Sequence, residues 1–123
     1  MSQTDTICWA DIPVKDLDRS SRFYSAVLGK PVRTQSDAGF DYGLLPHKND
    51  NVSGCLVPAN DNRPSETGPL VYLNVNGRMA EAHDAVKENG GTVLEDRHQI
   101  GPYGFSALIR DTEGNRIGLH SED

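Results

Sequence analysis

The chain has 123 residues, 36% hydrophobic and 24% charged, with a formal net charge of −6 at pH 7. This size and composition are typical of one soluble domain. Nucleic acids and anionic membranes are disfavoured as partners because both require clustered Lys and Arg, and the apolar runs are too short to span a bilayer. The opening segment MSQTDT has no basic region and no apolar stretch, so we expect no secretory signal and a cytoplasmic location.

The first half of the chain reads as one strand, one helix and three further strands. TICWADIPV is rich in strand formers, and KDLDRSSRFYSAVLG has apolar residues at helical spacing. Asp16 is suited to cap the amino end of this helix, and Gly29 is suited to the left-handed position after its last turn. The runs PVRTQSD, GFDYGLLP and VSGCLVPA then predict three short strands separated by polar turns.

The second half repeats this order. After the polar segment NDNRPSETG come a strand in PLVYLNV, a helix in NGRMAEAHDAVKENGG and strands in TVLEDRH, GFSALIR and NRIGLHS. Two such units would each leave one sheet face uncovered unless they paired. We therefore predict a single α+β domain over residues 1–123, in which paired βαβββ units form a curved mixed sheet around a cleft. Unit one covers about 5–59, the linker about 60–68 and unit two about 69–121.

Strand alternation predicts which side chains line the cleft. Three strands each have one apolar face, which would pack under a helix, and one mixed face. The mixed faces contain Trp9, Asp11, Tyr72, Asn74, Arg116 and His120. Aromatic rings with a few polar groups are the usual lining of a small-molecule site.

Two of these residues are candidates for acid–base chemistry. His120 could act as a base or hydrogen-bond a ligand, although a bond to the backbone or to water would explain it equally well. Asp11 could pair with it, or could be a solvated strand end or part of a salt bridge.

The other candidates would bind rather than react. Trp9 and Tyr72 could stack on a flat ligand or simply fill the cavity. Arg116 could hold an anion through two hydrogen bonds, or lie in solvent beside its turn. Asn74 would add a polar contact. The segment IGPYG reads as either a flap or a turn, and Phe105, directly after it, could close the site.

The two cysteines carry no motif. Cys8 and Cys55 are far apart, without a CxxC pattern or a nearby histidine. Small buried strand residues explain them better than a disulfide or a catalytic thiolate.

Two stretches resemble the vicinal oxygen chelate superfamily, which contains glyoxalase I, extradiol dioxygenases, fosfomycin resistance enzymes and bleomycin resistance proteins. ADIPVKDLDRSSRFYSAVLGKPV is similar to the first strand and helix of that family, and GPYGFSALIRDTEGNRIGLHS to its final hairpin. The resemblance covers nearly the whole chain and looks closest to the small glyoxalase-related proteins. It implies paired βαβββ units and a homodimer.

The resemblance also implies positions for metal ligands, and these positions are changed here. A His or Gln is expected at Trp9 and another at Leu70, and a Glu is expected at Gly118. None of the three residues present can bind a divalent metal through its side chain. The run VSGCLVP also lacks the remaining carboxylate. We therefore predict no metal and no cofactor.

Three functional hypotheses follow. The first is a metal-free protein that binds a small organic molecule in the cleft. The second is a glyoxalase-related, lyase-like enzyme that uses His120 and Asp11, or an atypical metal site. The third is an interaction module with a degenerate cavity.

Overall fold

The computed structural model describes residues 6–37, 39–49 and 51–123. The first half contains β1 (Trp9–Val14), α1 (Leu17–Leu28), β2 (Arg33–Asp37), β3 (Phe40–Leu44) and β4 (Ser53–Pro58). The second half contains β5 (Tyr72–Asn74), α2 (Met79–Glu88), β6 (Thr92–Gln99), β7 (Phe105–Arg110) and β8 (Arg116–Ser121). The predicted α+β order of elements is therefore confirmed. The first five residues, where we expect no secretory signal, lie outside the described part.

The strands form two four-stranded mixed sheets, one in each half. Their strand orders are β1-β4-β3-β2 and β5-β8-β7-β6. In each sheet the first and last strands of the unit pair in parallel, and the remaining pairs are antiparallel. The parallel pairing is possible because a helix crosses over between the strands of each unit. The segment 59–71 between the sheets has no regular secondary structure.

One hydrophobic core joins the two halves. It includes fully buried side chains from both, among them Val14, Phe23, Leu56, Val86 and Ile109. The helices α1 and α2 pack against each other, and each also contacts strands of its own unit. None of the helices among the described residues is long and apolar enough to cross a membrane.

Helix α1 begins and ends where its sequence predicts. The Asp16 side chain accepts a hydrogen bond from the Arg19 backbone N–H at 3.0 Å, and Gly29 has a left-handed φ of 69°. A Cβ at position 29 would also lie 2.6 Å from Nε of Arg78, so the Arg78 side chain would have to shift. The Arg78 guanidinium, which comes from the second half, donates a hydrogen bond to the Val27 carbonyl in the last turn of α1.

The turn between β7 and β8 contains two buried carboxylates. Asp111 is 3% exposed and accepts hydrogen bonds from the Tyr24 hydroxyl at 2.5 Å and from the backbone N–H groups of Glu113 and Asn115 at 2.8 Å. The Asn115 side-chain amide donates to Asp111 and also to the Pro13 carbonyl. The turn of the second half is thereby fastened to β1 and α1 of the first.

Glu113 is the second of these carboxylates. It accepts from the backbone N–H groups of Lys15 and Asp16 at 2.8 Å, from Thr112 at 2.7 Å, and from two nitrogens of the Arg19 guanidinium at 2.8 and 2.9 Å. Burial alone would raise its pKa, but these hydrogen bonds outweigh burial and lower the pKa from 4.5 to about 2. The carboxylate is therefore charged in the folded protein at neutral pH.

Candidate functional site

The face of the first sheet that points away from α1 carries Trp9, Asp11 and Cys55. Asp11 and Cys55 are direct partners in the parallel β1–β4 pair, and the Cys55 thiol donates to the Asp11 carboxylate at 3.3 Å. Asp11 is exposed and Trp9 is half-buried. Asp11 therefore lies on a solvent-exposed edge strand beside a thiol. The sequence predictions did not assign it this partner.

Cys55 is a residue of this face that the sequence analysis left out. Burial raises the pKa of its thiol, a hydrogen bond from Trp9 opposes that shift, and Asp11 reinforces it. The thiol is therefore protonated at neutral pH and acts as a weak donor, not as a nucleophile. Alternation along β4 was the available signal, but it had to be combined with the register between β1 and β4.

Two further aromatic rings extend the first face. Phe40 and Tyr42 lie two residues apart on β3 and so on the same side of the sheet, with ring centroids 6.1 Å apart. Phe40 is 53% exposed. The Tyr42 hydroxyl lies 2.8 Å from both the Gln35 amide oxygen and the Asp37 carboxylate. The hydrogen bond to Asp37 is the main cause that raises the pKa of Tyr42, so its hydroxyl stays protonated.

The open face of the second sheet is organised around Tyr72 and Gly118. These two residues are partners in the parallel β5–β8 pair, and Leu108 is opposite Gly118 on β7. A Cβ at position 118 would lie only 2.5 Å from the Tyr72 ring. The ring therefore lies directly over the glycine, and it remains 51% exposed.

This arrangement bears on the metal that the resemblance implies. The space into which a side chain at 118 would project is filled by the Tyr72 ring, and Trp9 and Leu70 offer no ligand atom at the other two positions. Within the described ranges, no group of three or more His, Cys, Asp or Glu residues is arranged to hold a metal ion. The residues present do not fit a metal centre of the family type.

His120 has a backbone partner. Its Nε2 lies 2.6 Å from the Tyr103 carbonyl, which belongs to a short 3-10 turn over Gly101–Tyr103. A second bond, from the Ile100 N–H to the Gly104 carbonyl at 2.8 Å, closes this turn. The segment IGPYG is therefore a hydrogen-bonded turn tied to the last strand.

The structure does not bring His120 and Asp11 together as an acid–base pair. They lie on different sheets, His120 is bonded to Tyr103 and Asp11 to Cys55, and no hydrogen bond or ion pair between them occurs among the described contacts.

The other predicted residues divide between the two sides of the second sheet. Asn74 and Arg116 lie on the open face, where Asn74 accepts from the Asn76 N–H at 2.8 Å and Arg116 is opposite Arg110. Phe105 does not join them. Alternation along β7 places it with the buried Ala107 and Ile109, and the Arg97 guanidinium covers its ring at 3.7 Å from the centroid. Its role in closing the site stays a prediction.

Two surface depressions of the described part lie away from both open faces. One is lined by Asn76, Gly77, Glu122 and Asp123. Another, between α1 and β2, is lined by Asp18, Ser21, Arg22, Ser25, Val32 and Thr34. None of the aromatic residues of the two open faces lines either depression.

Residues 6–119 match the family model described as the Glyoxalase/Bleomycin resistance protein/Dioxygenase superfamily. Among proteins of curated function, none matches this sequence. A glyoxalase/bleomycin resistance protein from Albidiferax ferrireducens has a similar structure, with a TM-score of 0.73 at 19% identity over 97% of this chain and 100% of that chain.

Two enzyme structures are also similar. A glyoxalase-related enzyme from Fulvimarina pelagi has a TM-score of 0.62 at 16% identity, over 95% of this chain and 88% of that one. Glyoxalase I from Zea mays has a TM-score of 0.66 at 22% identity, over 98% of this chain but only 48% of the maize chain. This chain thus spans about half the length of the maize enzyme, and at these identities the likeness shows the fold alone.

Proposed function

The chain belongs to the glyoxalase/bleomycin resistance protein/dioxygenase superfamily, and we propose that it binds a small organic molecule on its open sheet faces without a metal ion. One observation carries the proposal: the Tyr72 ring lies over Gly118, where the family pattern expects a carboxylate ligand. The same ring is half exposed and offers an apolar plane to a ligand. Loss of metal ligands and gain of an aromatic surface thus occur at one point.

The test of metal independence is direct. The protein is purified without chelator, and bound Ni, Zn, Fe, Mn and Co are measured. Each ion is then added to stripped protein while the melting temperature is followed. An ion at a hundred times its Kd would stabilise the fold by about 2.7 kcal/mol, which is a shift of several degrees. We expect no stoichiometric metal and no shift; a bound metal with a clear shift contradicts the proposal.

A positive control makes the negative result informative. The triple variant Trp9→His, Leu70→His, Gly118→Glu restores three ligand types at the family positions, and Tyr72→Ala in the same chain clears the space over position 118. Metal binding by this variant, with none by the natural chain, would assign the loss to these residues. Native mass spectrometry of the purified protein then searches for a retained organic molecule.

Glyoxalase-related lyase chemistry is the alternative. It is less well supported, because the ring of His120 is engaged by the Tyr103 carbonyl and Asp11 is bonded to Cys55. Turnover of an α-oxoaldehyde–thiol adduct that disappears in His120→Ala would establish it. A recovered protein partner, with neither ligand nor turnover, would instead favour an interaction module.

The oligomeric state and the location in the cell complete the proposal. We propose a homodimer, as the family resemblance implies, which sedimentation analysis tests. We also propose a cytoplasmic location, which is consistent with the two free thiols of Cys8 and Cys55.

A further inference from the structure

The open face of the second sheet has a pair of arginines that the proposed function does not yet use. Arg110 and Arg116 are direct partners in the antiparallel β7–β8 pair. They stand one row away from Gly118 and Leu108, because residues two apart on a strand point to the same side. Two like charges directly opposite each other are unfavourable in a sheet unless an anion lies close by.

The chain supplies one such anion, and it comes from the segment between the two units. The Glu66 carboxylate lies 3.1 Å from both Nε and Nη2 of Arg110. The guanidinium of Arg116, in contrast, forms no ion pair or hydrogen bond among the described residues, although its backbone N–H donates to the Ser65 carbonyl. The three side chains together carry a net charge of +1, which one further carboxylate would neutralise.

The Tyr72 ring completes the arrangement. It lies over Gly118, which is two residues from Arg116 on the same side of β8, and the ring is half exposed. An aromatic ring stacked on that outer side would carry a substituent into reach of Arg116. A planar carboxylate suits this guanidinium because the two can form two parallel hydrogen bonds.

We propose that this face binds a planar aromatic monocarboxylate, with its ring on Tyr72 and its carboxylate on Arg116. This inference rests on the proposed function and names its ligand class. The single charge of the ligand matches the net charge of the arginine pair and Glu66, whereas a dianion such as a phosphate monoester would exceed it. The negative charge of Glu66, held beside Arg110, opposes the ligand's carboxylate and so lowers its affinity.

The test uses probes that separate ring from charge. 2-Naphthoate carries both, 2-naphthamide carries only the ring, and cyclohexanecarboxylate carries only the charge. We expect calorimetry to give naphthoate at least about tenfold tighter binding than either of the others. Its affinity should fall as salt is added, while that of the amide should not.

Three variants assign the contacts. Arg116→Gln should weaken naphthoate about tenfold and leave naphthamide unchanged, and Tyr72→Ala should weaken both. Glu66→Gln should strengthen naphthoate, an effect that loss of structure would not produce. Arg22→Gln, on the exposed side of α1, is the matched control and should change nothing.

The outcomes distinguish this inference from the proposed function. Equal binding of naphthoate and naphthamide, or an unchanged affinity in Arg116→Gln, overturns the carboxylate site but leaves metal-free ligand binding intact. Failure of all three probes at millimolar concentration also overturns it. Stoichiometric metal in the natural protein removes the proposed function itself, whatever the probes do.

Discussion

The β7–β8 hairpin contains two contrasting polar regions. At its turn, Asp111 and Glu113 are buried, and their carboxylates accept hydrogen bonds from several partners. On the open face of its strands, Arg116 has no side-chain partner among the described residues, and Arg110 has one exposed carboxylate. Buried polar groups need hydrogen-bond partners within the protein if the fold is to be stable, whereas exposed polar groups are hydrated and remain free to bind a ligand. The turn therefore holds the units together, and the strands present a surface.

The largest effect is expected at the turn. Glu113→Ala leaves two backbone N–H groups and part of the Arg19 guanidinium without their acceptor. Each backbone N–H left without an acceptor costs about 1 kcal/mol or more, so urea unfolding should show a loss of about 2 kcal/mol or more. Asp96→Ala is the control: that carboxylate is 86% exposed next to His83, and its loss should cost under about 1 kcal/mol. Equal losses in the two variants would contradict the contrast.

Acid should lower the free energy of unfolding partly through Glu113, and Glu113→Gln should remove that part of the effect. The pKa of Glu113 is lowered from 4.5 to about 2 in the folded protein, so folding favours its charged form. Its contribution to stability is complete above pH 4.5 and is lost as the pH falls toward 2. Glu113→Gln should therefore show a shallower decline of unfolding free energy over this range than the natural protein. Parallel declines would mean that other carboxylates control acid unfolding.

A smaller effect is expected on the open strand face, where the Tyr72 ring lies over Gly118. Gly118→Ala places a Cβ at 2.5 Å from the Tyr72 ring, so the ring must swing outward at a cost of about 1 kcal/mol. In a Tyr72→Ala background the same substitution should cost nothing, because the nearest atoms are all from that ring. Additive effects in this double-mutant cycle would show that the ring does not occupy the space over the glycine.

The smallest effect is expected at His120. His120→Ala removes the bond to the Tyr103 carbonyl, an exposed contact worth about 1 kcal/mol or less. Global stability should hardly change, while the amides of residues 100–104 should exchange faster with solvent. His47→Ala, at an exposed position, is the control and should leave both properties unaltered. A large loss of global stability in His120→Ala would place this histidine with the turn and not with the surface.

Local signals in the sequence located most of the fold. The cap at Asp16 and the glycine at position 29 fix the ends of α1, and the DTEGN turn fixes the hairpin. Contacts that depend on strand register were harder. Tyr72 reaches Gly118, and Asp11 reaches Cys55, only through parallel pairs whose strands are far apart in the chain.

Two residues illustrate the limit within the hairpin itself. Arg110 is opposite Arg116 because both adjoin the same short turn, so symmetry about Asp111–Asn115 was an available signal for a pair that the sequence predictions did not name. For Phe105 two signals differ. Its nearness to the IGPYG turn suggests a cover for the site, whereas alternation along β7 groups it with the buried Ala107 and Ile109.

The two ends of α1 imply that the halves of the chain have ceased to be equivalent. The Glu113 carboxylate lies at the amino end of this helix and the Arg78 guanidinium at its carboxyl end, which matches the direction of the helix dipole. Both come from the second half, whereas the amino end of α2 has no side-chain cap. If the chain is cleaved within 59–71, the two fragments should therefore bind each other, and neither should pair with a second copy of itself. The two units are complementary in their contacts and cannot replace each other.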